Sequence, residues 1–333
     1  MQEPGSLSRI SGSWSLKSSH RFDWQEERKR MKSSRREFLS AIAAVSLARS
    51  TGRAAPADVP LIDIHQHADY VGRGFEQMLA HQEALGATMT VLLAGAGWME
   101  SQLAGNAASL AQCERSPDRF RLFACADPQA ADASGTLRTF VRKGAVGIGE
   151  LKFFIPCDGP EMHAVYRLAA ELRVPVLIHF QDPKYETGFS RFHKVLERYP
   201  KVTFIGHAIS WWNHVSAEVD PAVNYPTAPV KRGGITDRLL SDYPNIYADL
   251  SARSGLGALT RDDGFARDFV ARHANKLVFG SDCPCLDGNG AGIEQGYCTG
   301  KRLLTRLREL APDSIRFRKI THDNAARLLR KTL

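Results

Sequence analysis

Residues 61–70 read LIDIHQHADY, and the reading of this stretch decides the fold. Leu61, Ile62 and Ile64 form a short apolar run of the kind that makes a buried strand. The run closes on two histidines two positions apart, and residues i and i+2 of a strand point to one face. His65 and His67 are therefore expected side by side at a strand end, with something held between the two imidazoles. An open doubly wound sheet would carry a glycine-rich phosphate loop after its first strand. Here HQH stands in that place, which favours a closed barrel.

Working outward, apolar runs recur at 59–67, 87–95, 120–128, 145–153, 174–180, 202–208, 245–252 and 276–284. Each is short, rich in Val, Ile, Leu or Phe, and bounded by turn residues. Between them lie helix-period segments such as GFEQMLAHQEALG, EMHAVYRLAAELR and DDGFARDFVARHA, several of which close on Gly or Pro. Continuous apolar strands alternating with helices imply a parallel sheet covered by helices. Eight such units over 58–333 imply an α/β fold, the (β/α)8 TIM barrel. The longest connection, 211–234, follows the sixth strand and is expected to cover the active site.

The residues before the first strand have a different character. SSRREFLS at 33–40 leads into the apolar run FLSAIAAVSLA at 38–48, and small residues follow. This is the pattern of a twin-arginine export signal; the run is well short of the roughly 20 residues that span a bilayer. The expected organisation is an N-terminal extension plus signal over 1–57, with Met31 as the true start, then one barrel domain over 58–333. Cleavage is expected after Ala57 or Ala54. The chain is accordingly expected to leave the cytoplasm folded, through the twin-arginine machinery, for the periplasm or the medium. The mature protein would have no membrane span.

Charge supports this division. The chain carries +8, but residues 1–57 hold eleven basic against five acidic residues, leaving +2 for the remainder. The basic balance belongs to the leader and gives no footprint for nucleic acid. Six scattered cysteines lack zinc-finger spacing. Cys283 and Cys285 would share a strand face, and are read as free thiols in or beside the last strand.

The polar residues at the C-terminal strand ends form a constellation: His65 and His67, Glu150 and Lys152, His179, His207 and Asp282. In this barrel that end carries the active site. Each residue alone has an ordinary structural explanation. Burying several imidazoles and carboxylates together costs several kcal/mol unless something offsets their desolvation. A divalent cation does so, and this donor chemistry suits Zn2+, with Mn2+ also in keeping, one or two ions per chain.

IDIHQH, LIHF, FIGHA and VFGSDCP stand in this order along 59–330. The set resembles the amidohydrolase superfamily, and more closely the amidohydrolase-2 group that includes aminocarboxymuconate-semialdehyde decarboxylase-like enzymes. The resemblance implies that His65, His67, His179 and Asp282 are metal ligands. It makes His207 either a second ion's ligand or a catalytic acid/base. GIGELKF at 147–153 is similar to the strand-four glutamate motif of TatD-like hydrolases, so Glu150 either touches metal or hydrogen-bonds behind it. The activity implied is hydrolysis of a small amide, lactone or ester by a metal-activated water, with Asp282 taking the proton. Non-hydrolytic decarboxylation is the alternative, and a catalytically inactive metal-dependent binding protein is a second. The small molecule is expected to bear a carboxylate, with Arg253, Lys152, Trp211 and Tyr185 as candidate contacts. Oligomeric state is left open, a homo-oligomer included.

Overall fold

Strands form where the apolar runs place them: β1 (Leu61–Gln66), β2 (Ala87–Leu93), β3 (Phe120–Ala124), β4 (Gly147–Leu151), β5 (Val176–His179), β6 (Phe204–His207), β7 (Ile246–Asp249) and β8 (Leu277–Val278). The computed structural model describes residues 59–293 and 295–330. The expected export signal lies outside the described residues. The strands pair in parallel in the order β1 to β8. Ile64 N donates to Phe279 O at 3.0 Å and Asp282 N to His65 O at 2.9 Å, which joins the last segment to the first. The expected (β/α)8 barrel is the fold.

Two apolar layers hold it. Ile62, Ile64, Val91, Leu93, Phe123, Leu177, Ile205, Tyr247 and Val278 fill the barrel, and Ala325, Leu328 and Leu329 of the C-terminal helix (Asn324–Arg330) pack against them. The opposite strand faces, among them Leu92, Leu122, Ile178, Phe204 and Leu277, share the larger core with helix residues such as Met78, Leu137, Val165, Phe269 and Leu303. Strands buried on both faces read as continuous apolar runs, which is why they are visible in the sequence. Each large side chain buried this way contributes about 1.5–3 kcal/mol.

Alternation then sets the mouth. On β5, β6 and β7 the inward Leu177, Ile205 and Tyr247 are followed two residues later by His179, His207 and Asp249, so a polar ring sits on an apolar layer. β1 departs from strict alternation. Ile62 and Ile64 pack inward, which would turn His65 outward, but the β1–β2 register shifts between Asp63 and Gln66. An irregularity of this kind re-aims side chains, and it brings both histidines to the mouth.

Two expectations change here. β8 is two residues long, so GSDCP continues as a loop in which Asp282 has φ 42°, and Cys283 and Cys285 leave the strand. The connection expected from residue 211 begins inside a short helix, Ala208–Asn213. Trp211 is fully buried there and packs on Phe180 and Phe189, with ring centroids 6.1 and 5.6 Å away. It is a core residue, which corrects its expected place at the substrate. Among the described residues, no helix is long and apolar enough to cross a membrane.

Gly206 explains how Trp211 fits behind β6: a Cβ there would stand 2.3 Å from the indole ring. Overpacking at such a site typically costs 1–3 kcal/mol. Gly206→Ala is expected to lower stability by about 2 kcal/mol, read as a reduced urea midpoint with an unchanged slope.

Candidate metal centre

The two histidines that opened the sequence reading do meet. His65 Nε2 and His67 Nε2 are 3.2 Å apart, and each ring is oriented from behind. His65 Nδ1 lies 2.6 Å from Asp249 Oδ2, and His67 Nδ1 lies 2.9 Å from the carbonyl of Leu93. Anchoring one ring nitrogen in this way fixes the other as a ligand. Glu150 Oε2 stands 3.8 Å from His65 Nε2 and 3.5 Å from His67 Nε2, and Asp282 Oδ1 stands 3.8 and 3.6 Å from the same two atoms. Bonds of about 2.0–2.1 Å to a common ion would separate tetrahedral donors by about 3.4 Å. Asp282 Oδ1 is buried with no hydrogen-bond partner. The donors of His65, His67 and Glu150 therefore fit a divalent ion, with Asp282 Oδ1 beside the same two ring nitrogens.

Glu150 also joins a second group. His179 Nδ1 is 2.5 Å from Glu150 Oε1, and His207 Nε2 is 3.6 Å from the same oxygen. The donor atoms of Glu150, His179 and His207 lie within 4.8 Å of one another, as do those of His65, His67 and Glu150. Glu150 thus stands between two groups of histidines. His179, expected beside His65 and His67, falls on the far side of Glu150, and its Nε2 faces Gln181 Oε1 at 3.1 Å.

Electrostatics divides the imidazoles. Burial opposes charge on His65, but Asp282 and Asp249 outweigh it and raise the pKa to about 10. His67 goes the other way, to about 4, through burial and the adjacent His65. Burial, helped by Lys152, also brings His179 down to about 4 against the pull of Glu150. Burial would raise Asp249 and Asp282, yet His65 beside both holds each carboxyl below its usual range.

Asp249 was missed by sequence reasoning, together with Ser251 and Tyr70. Ser251 Oγ donates to Asp249 Oδ2 at 2.8 Å and lies 3.0 Å from His207 Nδ1. This pair orients His65 and His207 at once. The signal was present: Asp249 is an acidic residue inside the seventh apolar run, and it ends β7 at an inward position. Gly280 makes the contact possible, because a Cβ there would be 2.4 Å from Asp249 Oδ1.

Above the donors is a small cavity of about 50 Å³ lined by His67, Tyr70, Trp98, Met99, Gln102, Leu103, Glu150, Lys152 and Asp282. Lys152 Nζ stands 5.7 Å from the Trp98 ring and 5.6 Å from the Tyr185 ring, and those rings stack 5.4 Å apart. Lys152 and Tyr185 are thus brought toward the site, with Trp98 as an unforeseen wall. Arg253 is not among the cavity's lining residues. It lines a separate surface groove of about 890 Å³ and lies 4.9 Å from the Tyr297 ring.

No protein-family model matches the chain, and no curated protein matches it by sequence. Solved structures do resemble it. A protein of Acinetobacter baumannii described as a probable 2-pyrone-4,6-dicarboxylic acid hydrolase, with citric acid bound, superposes with a TM-score of 0.56 at 15% identity, over 81% of this chain and 99% of that one. An uncharacterised TIM-barrel protein of Bordetella bronchiseptica gives 0.56 at 16%, over 82% and 99%. A 2,6-dihydroxybenzoate decarboxylase complexed with 2,6-dihydroxybenzoate gives 0.53 at 15%, over 81% and 99%. The likeness establishes the fold. A probable hydrolase and a decarboxylase thus both stand among these neighbours.

At neutral pH a metal-free His65 holds a proton that an entering ion must displace, whereas His67 and His179 are already neutral. Apparent affinity is therefore expected to rise about tenfold per pH unit between about pH 6 and 9. Calorimetric titration with Mn2+ in buffers of different ionisation enthalpy should return about one proton released per ion. A pH-independent affinity would remove His65 from the ligand set.

Proposed function

We propose that the chain is a metal-dependent enzyme of the amidohydrolase superfamily that hydrolyses a small, carboxylate-bearing carbonyl compound. The observation that carries this reading is that Glu150 and Asp282 each stand within 3.8 Å of both His65 Nε2 and His67 Nε2, with Asp282 Oδ1 buried and without a hydrogen-bond partner. Zn2+ is the ion best matched to these donors. Export by the twin-arginine route belongs to the same proposal and rests on SRREFL at 34–39.

A divalent ion held by these four residues supplies Lewis-acid polarisation of the substrate carbonyl. The chain's own groups do the rest. Asp282 is kept ionised by His65 and faces the cavity, so it accepts the proton of the attacking water and returns it to the leaving group. Tyr70 lines the same cavity and stays protonated, chiefly because the Asp282 charge beside it raises its pKa. Its hydroxyl hydrogen-bonds to Asp282 and so helps to hold that carboxylate at the cavity. His207, oriented by Ser251 and Asp249, lies 3.7 Å from Asp282 Oδ2 and supports that carboxylate. Lys152 at the rim offers a cation for the substrate carboxylate, and the stacked Trp98 and Tyr185 rings offer a flat wall.

Decarboxylation is the second reading, favoured by the likeness to the 2,6-dihydroxybenzoate decarboxylase. A panel of lactone carboxylates and hydroxybenzoates assayed in 18O-water separates the two. Hydrolysis puts solvent oxygen into the product without releasing carbon dioxide, and decarboxylation does the reverse. Asp282→Asn is expected to lower kcat by about 10²–10⁴. Lys152→Ala is expected to raise KM about tenfold with a smaller effect on kcat. Tight binding of panel compounds with no turnover by the metal-loaded protein would instead support a binding protein.

A further inference from the structure

Four side chains that the barrel chemistry does not use meet beside it. Cys283 and Cys285 lie in the loop after β8, and Cys298 is the N-cap of the helix Thr299–Leu310. His81 comes from the helix Phe75–Leu85, which follows β1. Their ligand atoms all lie within 4.8 Å of one another. Cys283 Sγ is 3.9 Å from Cys298 Sγ, which is 3.5 Å from His81 Nε2. None of the four is more than 4% exposed.

These separations are those of a closed tetrahedral site. Metal–sulfur bonds of about 2.3 Å and metal–nitrogen bonds of about 2.0 Å place sulfur pairs about 3.8 Å apart and sulfur–nitrogen pairs about 3.5 Å apart. A disulfide would require about 2.05 Å. Backbone amides already point at the sulfurs: Gly290 N donates to Cys285 Sγ at 3.1 Å, and Lys301 N to Cys298 Sγ at 3.5 Å. Amides and a helix N-terminus at this position favour thiolate over thiol.

Arg73 gives an independent indication. It is 1% exposed, and among the described residues its hydrogen bonds all go to neutral carbonyl oxygens. Two of these are the backbone carbonyls of Cys283 at 2.7 Å and Cys285 at 2.9 Å. A buried guanidinium needs a counter-charge nearby. Three thiolates and a neutral imidazole around a divalent ion would carry one net negative charge beside the two carbonyls that Arg73 grips, adding to the influence of Asp63 on the same guanidinium.

We propose that His81, Cys283, Cys285 and Cys298 form a structural zinc site, separate from the barrel centre and without an open coordination position. Each of the three thiols releases its proton to solvent as the ion binds, and no redox step is involved. The site would tie the loop that carries Asp282 to the helix after β1 and to the helix after residue 298. The loop is already pressed against that first helix, since a Cβ on Gly288 would lie 2.6 Å from Ala84 Cβ.

The test is cobalt substitution of the full-length protein, purified under reductant and without a chelating column. Cobalt(II) bound by three thiolates gives intense near-ultraviolet charge-transfer absorption, which a histidine–carboxylate centre does not give. The expected result is that absorption in the cobalt-loaded wild type, retained in a cobalt-loaded His65→Ala/His67→Ala variant whose separate zinc preparation holds about one ion per chain. Cys285→Ser should reduce the charge-transfer intensity by about a third, and Cys298→His should keep the ion. A cobalt-loaded wild type without thiolate charge transfer would overturn the proposal, and that measurement needs no substitution to fold. Recovery of Cys283 and Cys298 as a disulfide from zinc-replete protein would overturn it equally. Loss of barrel metal alone bears on the proposed activity and leaves this site standing.

Discussion

Three carboxylates at the mouth of the barrel, the buried Glu150 and Asp249 and the partly buried Asp282, constrain everything around them. Each is held below its usual carboxyl range against burial by the histidines around it, with Lys152 adding to the effect at Glu150 and the His65 charge leading at Asp249 and Asp282. Removing charge from water is costly, and the cost is met only where opposite charge and hydrogen bonds are supplied in fixed positions. The strand ends provide those positions. Successive inward residues on β5, β6 and β7 step from an apolar layer to His179, His207 and Asp249. Barrel packing below and ion balance above are therefore two levels of one register.

The seam between β8 and β1 is where that register is most exposed to error. β8 pairs through only two residues, so the sheet does not position the segment after it. Other bonds do this work. Ser281 donates to Asp63 through its amide at 2.9 Å and its hydroxyl at 2.5 Å, and Gln66 Nε2 donates to Ser281 Oγ at 2.8 Å. Arg73 and the cysteine cluster continue the same seam outward. Asp63, buried and far from ordinary solvation, is a seam residue rather than a site residue.

The sequence showed the barrel plainly, because strands buried on both faces leave uninterrupted apolar runs. It also put His65, His67, Glu150, His207 and Asp282 toward the C-terminal ends of those runs, where the structure gathers them. What it hid depends on contacts between distant segments. Nothing local distinguishes Trp211, which fills the space left by Gly206, from a tryptophan in a pocket wall. The re-aiming of His65 comes from a register shift that composition does not encode. The meeting of His81 with Cys298 spans 217 positions, and no spacing rule connects a helix residue near the start to an N-cap near the end. His179 was placed on the right strand, but its preference for Glu150 depends on side-chain geometry.

The C-terminal helix carries a consequence of its own. By packing Ala325, Leu328 and Leu329 against the apolar filling of the barrel, it closes the end opposite the donors. Among the described residues, the cavity beside the donors is bounded by Tyr70, Trp98 and Lys152 at the opposite end. On the proposed function, ion and substrate would approach from this same side, and a substrate seated there would stand over the ion. A chelator would meet a resting protein and a working one as two different objects.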